Sequence, residues 1–304
     1  MQIILYFVRK KGYNVDIIRM NSELNNMNNV IPRVAAVHDL SGFGKCSLTV
    51  VLPIMSAMGI EVCPLPTAVL STHTGGFDGY TLLDMTEEMK GIIKHWKTLD
   101  IKFNAVYSGF LGSAAQVDIL INFIKEFKHD KLLTVVDPVL GDNGRLYSTM
   151  DIDMVNKMRE LISAANVITP NITEAAFLLG EKYCLDIIPE EVVFDWAKRL
   201  SALGAQKIVI TSVMDEHNNM SVVIYDSETD KLAKLGCLYT KGVFHGTGDV
   251  FTGVLTSKLL YGATLENAAR TAIDFTSAAI KETAAHPEIT TREGILFEKI
   301  LAGM

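Results

Sequence analysis

Short apolar runs alternate with longer stretches of helical period along most of this chain. Arg33 to His38 reads as a buried strand, Glu61 to Pro66 as a second, Asn104 to Gly109 as a third. Leu132 to Val136 is a continuous apolar run of the kind a parallel strand shows when both its faces are covered. Asn166 to Thr169 and Lys207 to Thr211 add two more. Between them, Cys46–Met58, Leu82–Trp96, Ala114–Lys128, Asp151–Ser163, Pro170–Leu179 and Pro189–Leu203 carry the spacing of helices. Met220–Tyr225 and Lys231–Tyr239 alternate loosely and are expected to pair as an antiparallel extension around a turn at Asp226–Asp230. Three helical segments close the chain: Val250–Leu260, Leu265–Glu282 and Arg292–Leu301. Strand and helix alternate at least five times with no change of composition after residue 32 and no internal repeat. The pattern predicts an α/β fold, a single doubly wound and mainly parallel sheet flanked by helices.

Residues 1–31 stand apart. A short apolar run is followed by Arg9-Lys10-Lys11, the wrong order for a signal peptide, and then by the linker-like Asn25-Asn26-Met27-Asn28-Asn29. The expectation is an N-terminal appendage over 1–31, one that an upstream start codon would also explain, and a folded domain over 32–304.

Composition narrows the partners. Of 304 residues 49% are hydrophobic, enough for a large core, and 28 basic against 35 acidic residues give a net charge of −7. That balance disfavours nucleic acid and anionic membrane as partners. No stretch approaches the roughly 18 apolar residues of a membrane span. Cys46, Cys63, Cys184 and Cys237 are scattered, without a CxxC pair, which fits reduced thiols in a cytoplasmic protein. Cys46 opens a helix, a place where a thiol's pKa is sometimes lowered.

Polar chemistry gathers where strands end. Gly246-Thr247-Gly248-Asp249 precedes an apolar helical run. Glycines there allow a tight turn and close approach to a ligand, and a helix start presents unpaired N–H groups and a positive dipole end to an anion. Asp249 admits two readings, a helix cap or a base beside that anion. Asp137 closes the most apolar strand and Asp142 follows five residues later, where α/β sheets place ligands. Asp39 ends the first strand, Thr169 and Glu174 flank another strand-to-helix turn, and Thr211-Ser212 ends a further strand. Leu70 to Phe77 is a polar, glycine-rich loop suited to reading a small molecule. Gly42-Phe43-Gly44-Lys45 matches neither the dinucleotide fingerprint nor a Walker A loop.

Five stretches in order, Thr72–Gly75, Asp137–Asp142, Ile168–Glu174, Val209–Ser212 and Gly246–Asp249, make the chain resemble the ribokinase-like superfamily and, within it, the pyridoxal and pyridoxamine kinases. The resemblance covers residues 33–280. It implies ATP-dependent phosphorylation of the 5′-hydroxymethyl group of a vitamin B6 vitamer. It further implies that Asp249 is the general base and that Gly246, Thr247 and Gly248 form the anion hole. Asp39, Thr74 and Phe110 would face the substrate ring. Asp137, Asp142, Thr169, Glu174, Thr211 and Ser212 would serve ATP, and Asp137, Asp142 and Glu174 would hold Mg²⁺. K⁺ and a homodimer are family habits. Asp39, where many pyridoxal kinases carry serine, and Phe110, where many carry tyrosine, are departures. Hydroxymethylpyrimidine and phosphomethylpyrimidine kinases of the same fold are the rival reading, and a non-catalytic B6- or nucleotide-binding protein is a third. Residues 142–148 are the candidate lid.

Overall fold

The computed structural model describes residues 31–182, 187–217 and 219–302. The expected appendage at 1–31 lies, but for Ile31, outside the described residues, and so does Cys184. Nine strands form one sheet in the order β11-β10-β9-β8-β5-β4-β1-β2-β3. The strands are β1 (Arg33–Phe43), β2 (Glu61–Thr72), β3 (Leu82–Asp84), β4 (Ala105–Ser108), β5 (Leu133–Val136), β8 (Val167–Ile168), β9 (Lys207–Met214), β10 (Met220–Asp226) and β11 (Lys231–Cys237). From β2 to β9 every pairing is parallel; β3 at one edge and β10 with β11 at the other run antiparallel. The expected pairing of β10 with β11 is present, with Asp226 opposite Lys231 at the turn. β6 (Gly141–Asp142) and β7 (Arg145–Leu146) make a separate small hairpin.

Strand residues alternate between two cores. Ala35 and Val37 of β1, Val106 of β4, Val136 of β5 and Ile208 of β9 face one layer. That layer is built from α2 (Thr86–Thr98), α3 (Ala114–Glu126), α4 (Ile152–Ile162), α5 (Ile172–Leu179) and α6 (Glu190–Ala202). Val34, Ala36, Tyr107, Val135 and Val209 face the other, with α1 (Leu48–Ala57), α7 (Thr247–Leu260) and α8 (Leu265–Ala284). Right-handed crossovers explain the division: the chain moves from β1 to β2 in one direction, then returns past β1 to β4, β5, β8 and β9 in the other. The reversal falls between β1 and β4. In open α/β sheets the ligand crevice lies at that point, outside the carboxyl ends of the strands.

α7 has no polar face. Val250 to Ser257 are all buried in sequence, because the helix is covered all round rather than along one stripe. Two of its buried hydroxyls find partners: Ser257 Oγ donates to the Gly253 carbonyl at 2.7 Å and Thr252 Oγ1 to Thr169 Oγ1 at 3.1 Å, while Thr256 Oγ1 has none.

The structure departs from the expected elements in four places. β1 continues to Phe43 through a bulge between His38 and Leu40, so Asp39 sits within the strand and not at its end. β2 is twice the expected length and reaches Thr72, because its second half pairs with β3 as well as β1. Leu82–Asp84 is that edge strand and not the start of α2. The last expected helix is broken: Thr291–Glu293 forms one 3-10 turn, Gly294 takes a φ of 90°, and α9 is only Glu298–Leu301.

Candidate active site

Gly246 is the N-cap of α7, at φ 81°, and no side chain caps the helix. A side chain on Gly246 would run into the Lys45 carbonyl, so the turn at 246 and the turn at 45 can approach only through this glycine. The first backbone bond of the helix is from the Val250 N–H to the Gly246 carbonyl at 3.1 Å. The amides of Thr247, Gly248 and Asp249 are therefore the unpaired leading edge of the helix. Asp249 is not the cap. Its Oδ2 accepts from the Ser47 N–H at 2.8 Å, and its side chain is 15% exposed.

Ser47 links two carboxylates. Its N–H holds Asp249, and its hydroxyl donates to Asp39 Oδ1 at 2.5 Å. Ser41 Oγ donates to the other oxygen of Asp39 at 3.0 Å. Ser47 does this at φ 54° and ψ −129°, a conformation non-glycine residues seldom adopt and which collects at functional sites. Nothing in the residue type or its spacing singled out Ser47; only the φ angle and the partners do. His38, also absent from the sequence-derived set, is fully buried with Nδ1 3.8 Å from Asp249 Oδ1. The signal for it was a polar residue ending an apolar run directly before Asp39.

Four acidic side chains follow one another across the strand ends. Burial pushes Asp39 upward, held back by the Ser47 and Ser41 hydroxyls. Burial, opposed by the Ser47 N–H and assisted by Asp39, pushes Asp249 up to about 7. Asp137 is raised by burial and then by Asp249, against the pull of the Thr169 hydroxyl. Glu174 is raised by burial and then by Asp137. Among the described residues no lysine or arginine pairs with any of the four; His38, whose pKa burial lowers to about 3, lies beside Asp249. Carboxylates this crowded and this dry await a cation or a proton.

Glu174 doubles as a structural residue. With Asn171 it forms a capping box at the start of α5, taking the Asn171 N–H on Oε2 at 2.8 Å and the Leu140 N–H on Oε1 at 3.0 Å. Asp142 lies apart, exposed on the β6–β7 hairpin, where it accepts from the Asn143 N–H at 2.7 Å. Among the described residues no group of three His, Cys, Asp or Glu side chains forms a preformed metal cage, so Asp137, Asp142 and Glu174 do not converge as one. Magnesium needs no such cage, since it keeps several waters and takes one or two carboxylates together with substrate phosphates. A buried Asp137 raised by its acidic neighbour and unpaired with any cation fits that donor set.

The other expected residues are distributed around this row. Thr169 is buried against Thr252, more a support for Asp137 than an open contact surface. Thr211 and Ser212 lie half-buried in β9, Ser212 at φ 60°. Phe110 is half-buried beyond β4, its carbonyl accepting from Thr67 Oγ1 at 2.9 Å. Thr74 is exposed on the loop after β2. That loop is anchored by buried His73, which bonds the Arg292 carbonyl at 2.6 Å and accepts the Gly75 N–H at 3.1 Å. The His73 ring also packs against Gly44, where a Cβ would run into it, so the loop meets the turn that follows Asp39. Cys46 is the reverse of an activated thiol: burial, then Asp249 and Asp39, push it up.

Comparison with known proteins accords with this arrangement. The family model described as phosphomethylpyrimidine kinase matches residues 52–293. A pyridoxal kinase of Arabidopsis thaliana is 29% identical over 239 residues, 75% of each chain. A crystal structure from Bacteroides thetaiotaomicron, assigned as a phosphomethylpyrimidine kinase and holding pyridoxal, is 46% identical. It superimposes with a TM-score of 0.84 over 90% of this chain and 96% of that one. Pyridoxal kinase from Lactobacillus plantarum, 32% identical, gives a TM-score of 0.82 over 90% and 96%. The chain therefore belongs to the phosphomethylpyrimidine kinase family and has the ribokinase-like fold of the pyridoxal kinases.

Proposed function

We propose that this protein transfers the γ-phosphoryl group of ATP to the 5′-hydroxymethyl group of a vitamin B6 vitamer. The observation that carries the reading is Asp249: a base pushed up to about 7, fixed on one oxygen by Ser47, beside the unpaired amides that open α7. In this role Asp249 takes the hydroxyl proton as the oxygen attacks phosphorus. The Gly246–Gly248 turn receives the charge that moves onto the transferring group. Phosphoryl transfer is chiefly positioning and electrostatic stabilisation, so a base and an amide cradle are the parts this chain must supply. Asp39, Thr74 and Phe110 border the ring side of the crevice; Thr211 and Ser212 border the nucleotide side. Asp137 and Glu174, with Asp142 through water, are the residues that would hold Mg²⁺, whose charge offsets that of the phosphates when bound. The β6–β7 hairpin over residues 142–148 is the candidate lid. K⁺, a homodimer and a cytoplasmic setting belong to the same reading through the resemblance, and 32–304 is its catalytic domain.

The name of the matching family model favours a second substrate, hydroxymethylpyrimidine, which also carries a hydroxymethyl group on a heteroaromatic ring. ADP release with Mg·ATP, measured side by side for pyridoxal, pyridoxamine, pyridoxine and hydroxymethylpyrimidine, separates the two. The highest kcat/KM is expected with a B6 vitamer, and a preference for the pyrimidine would replace the first reading. Asp249→Asn is expected to retain the fold and lose about 10²–10⁴-fold in turnover. Wild-type turnover in that variant would remove Asp249 from the mechanism.

A further inference from the structure

His38 is a buried side chain beside Asp249 whose polar atoms have no assigned work. It is fully buried, and neither ring nitrogen has a hydrogen-bond partner. An unsatisfied buried polar group is destabilising, so an imidazole here is an expensive way to fill space. Space is nevertheless made for it. Gly109 at the end of β4 has no side chain, and a Cβ there would strike His38 Nδ1. The Tyr107 ring meets the imidazole edge to face at 4.4 Å between centroids and holds its plane. The outcome of these contacts is that Nδ1 lies 3.8 Å from Asp249 Oδ1, while the other oxygen of Asp249 is already bonded to the Ser47 N–H.

We propose that His38 is a positioning residue for Asp249. Its Nδ1–H donates to Oδ1 when substrates close the site, so that both carboxylate oxygens are held and the base keeps one orientation toward the acceptor hydroxyl. This rests on the reading of Asp249 as general base. Catalytic hydrogen bonds are often long before substrates bind and shorten afterwards, and a gap of 3.8 Å is closed by a small rotation of the carboxylate. His38 has no exposed surface, so it neither touches substrate nor passes the proton to solvent. Its contribution is geometric, and geometry of this kind acts on kcat more than on substrate affinity.

The test is a set of three variants assayed with Mg·ATP and the best vitamer. His38→Leu fills the space without a donor. His38→Asn carries an amide N–H near the place of Nδ1, and His38→Gln carries one near the place of Nε2. Leu and Gln are expected to lower kcat by roughly tenfold to a hundredfold, with KM for both substrates within about twofold of wild type, while Asn stays within about threefold. If His38→Leu does not fold, the contrast between Asn and Gln carries the same information. The loss from His38→Leu must also vanish in the Asp249→Asn background, because a residue acting through Asp249 has nothing left to position. Wild-type kcat in His38→Leu, a loss that appears in KM, equal kcat in Asn and Gln, or a loss that persists without Asp249 would each overturn the proposal. Wild-type turnover of Asp249→Asn alone would instead overturn the general-base reading, which keeps the two failures distinct.

Discussion

Asp249 and Cys46 share one environment and respond to it in chemically opposite ways. Burial disfavours charge on both. For the carboxyl this is useful, because an acid raised from 3.8 to about 7 is a stronger base that still ionises near neutrality. For the thiol it removes reactivity, and the helix-start position that suggested a lowered pKa counts for less than burial and two acidic neighbours. The sign of the pH dependence follows. The base works only when ionised, so kcat/KM is expected to fall about tenfold per unit as pH drops below about 7 and to level above it. A pH–rate profile under subsaturating substrate checks this, and a profile flat down to pH 5 would contradict the raised pKa. Asp137 and Asp39 were legible in the sequence because a carboxylate closing an apolar run is conspicuous, and Asp249 because it follows two glycines at the head of one. Ser47 and His38 were not, because their roles come from partners 202 and 211 positions away in the chain.

Elements were read well where their own residues decide them. β5, β9 and α3 to α6 fall within a few residues of expectation, since continuous β-branched runs and 3.6-residue spacing are local signals. The errors sit where pairing decides. Leu82–Asp84 has three exposed residues and is a strand only because β2 lies beside it. At α5 the local signal and the site coincide: the Asn171–Glu174 capping box starts the helix, and the Asn171 side chain also bonds the Gly141 carbonyl at 2.9 Å. Asn171→Ala is expected to cost about 1–2 kcal/mol of stability, read as a lowered urea midpoint at unchanged m. It is also expected to lower activity, because the Asn171 amide that accepts the Glu174 N–H and donates to the Gly141 carbonyl is lost, which loosens the turn whose backbone N–H groups hold the Glu174 carboxylate. A variant with wild-type midpoint would show that the box contributes little here.

At the scale of the whole molecule, the site is backed by segments that lie far apart in the chain. The Lys45 N–H donates to the Glu293 carbonyl at 2.9 Å, and the Ile295 N–H to the His245 carbonyl at 3.3 Å. Gly294, at φ 90°, packs so closely that a Cβ would lie 2.6 Å from Lys45 Cβ and 2.7 Å from its carbonyl oxygen. Lys45 is two residues from Ser47, so the C-terminal turn backs the residue that holds both Asp39 and Asp249. Gly294→Ala should therefore lower Tm, by an amount on the order of 1–3 kcal/mol in stability, and lower kcat with it. Differential scanning calorimetry and steady-state kinetics on the same preparation check both. A fall in Tm with wild-type kcat would separate the C-terminal turn from the site.

The sequence by itself determined the alternation of strand and helix, the parallel core of the sheet, and the row of acids at strand ends. Each follows from the spacing of apolar residues or from the cost of a charge in an apolar run, and both are properties of neighbours in the chain. Tertiary structure decided that Asp249 does not cap its helix, since that depends on the left-handed turn at Gly246 and on the Ser47 N–H. It also decided that, among the described residues, no lysine or arginine pairs with these carboxylates. Such facts arise between residues more than two hundred positions apart, where no local pattern records them.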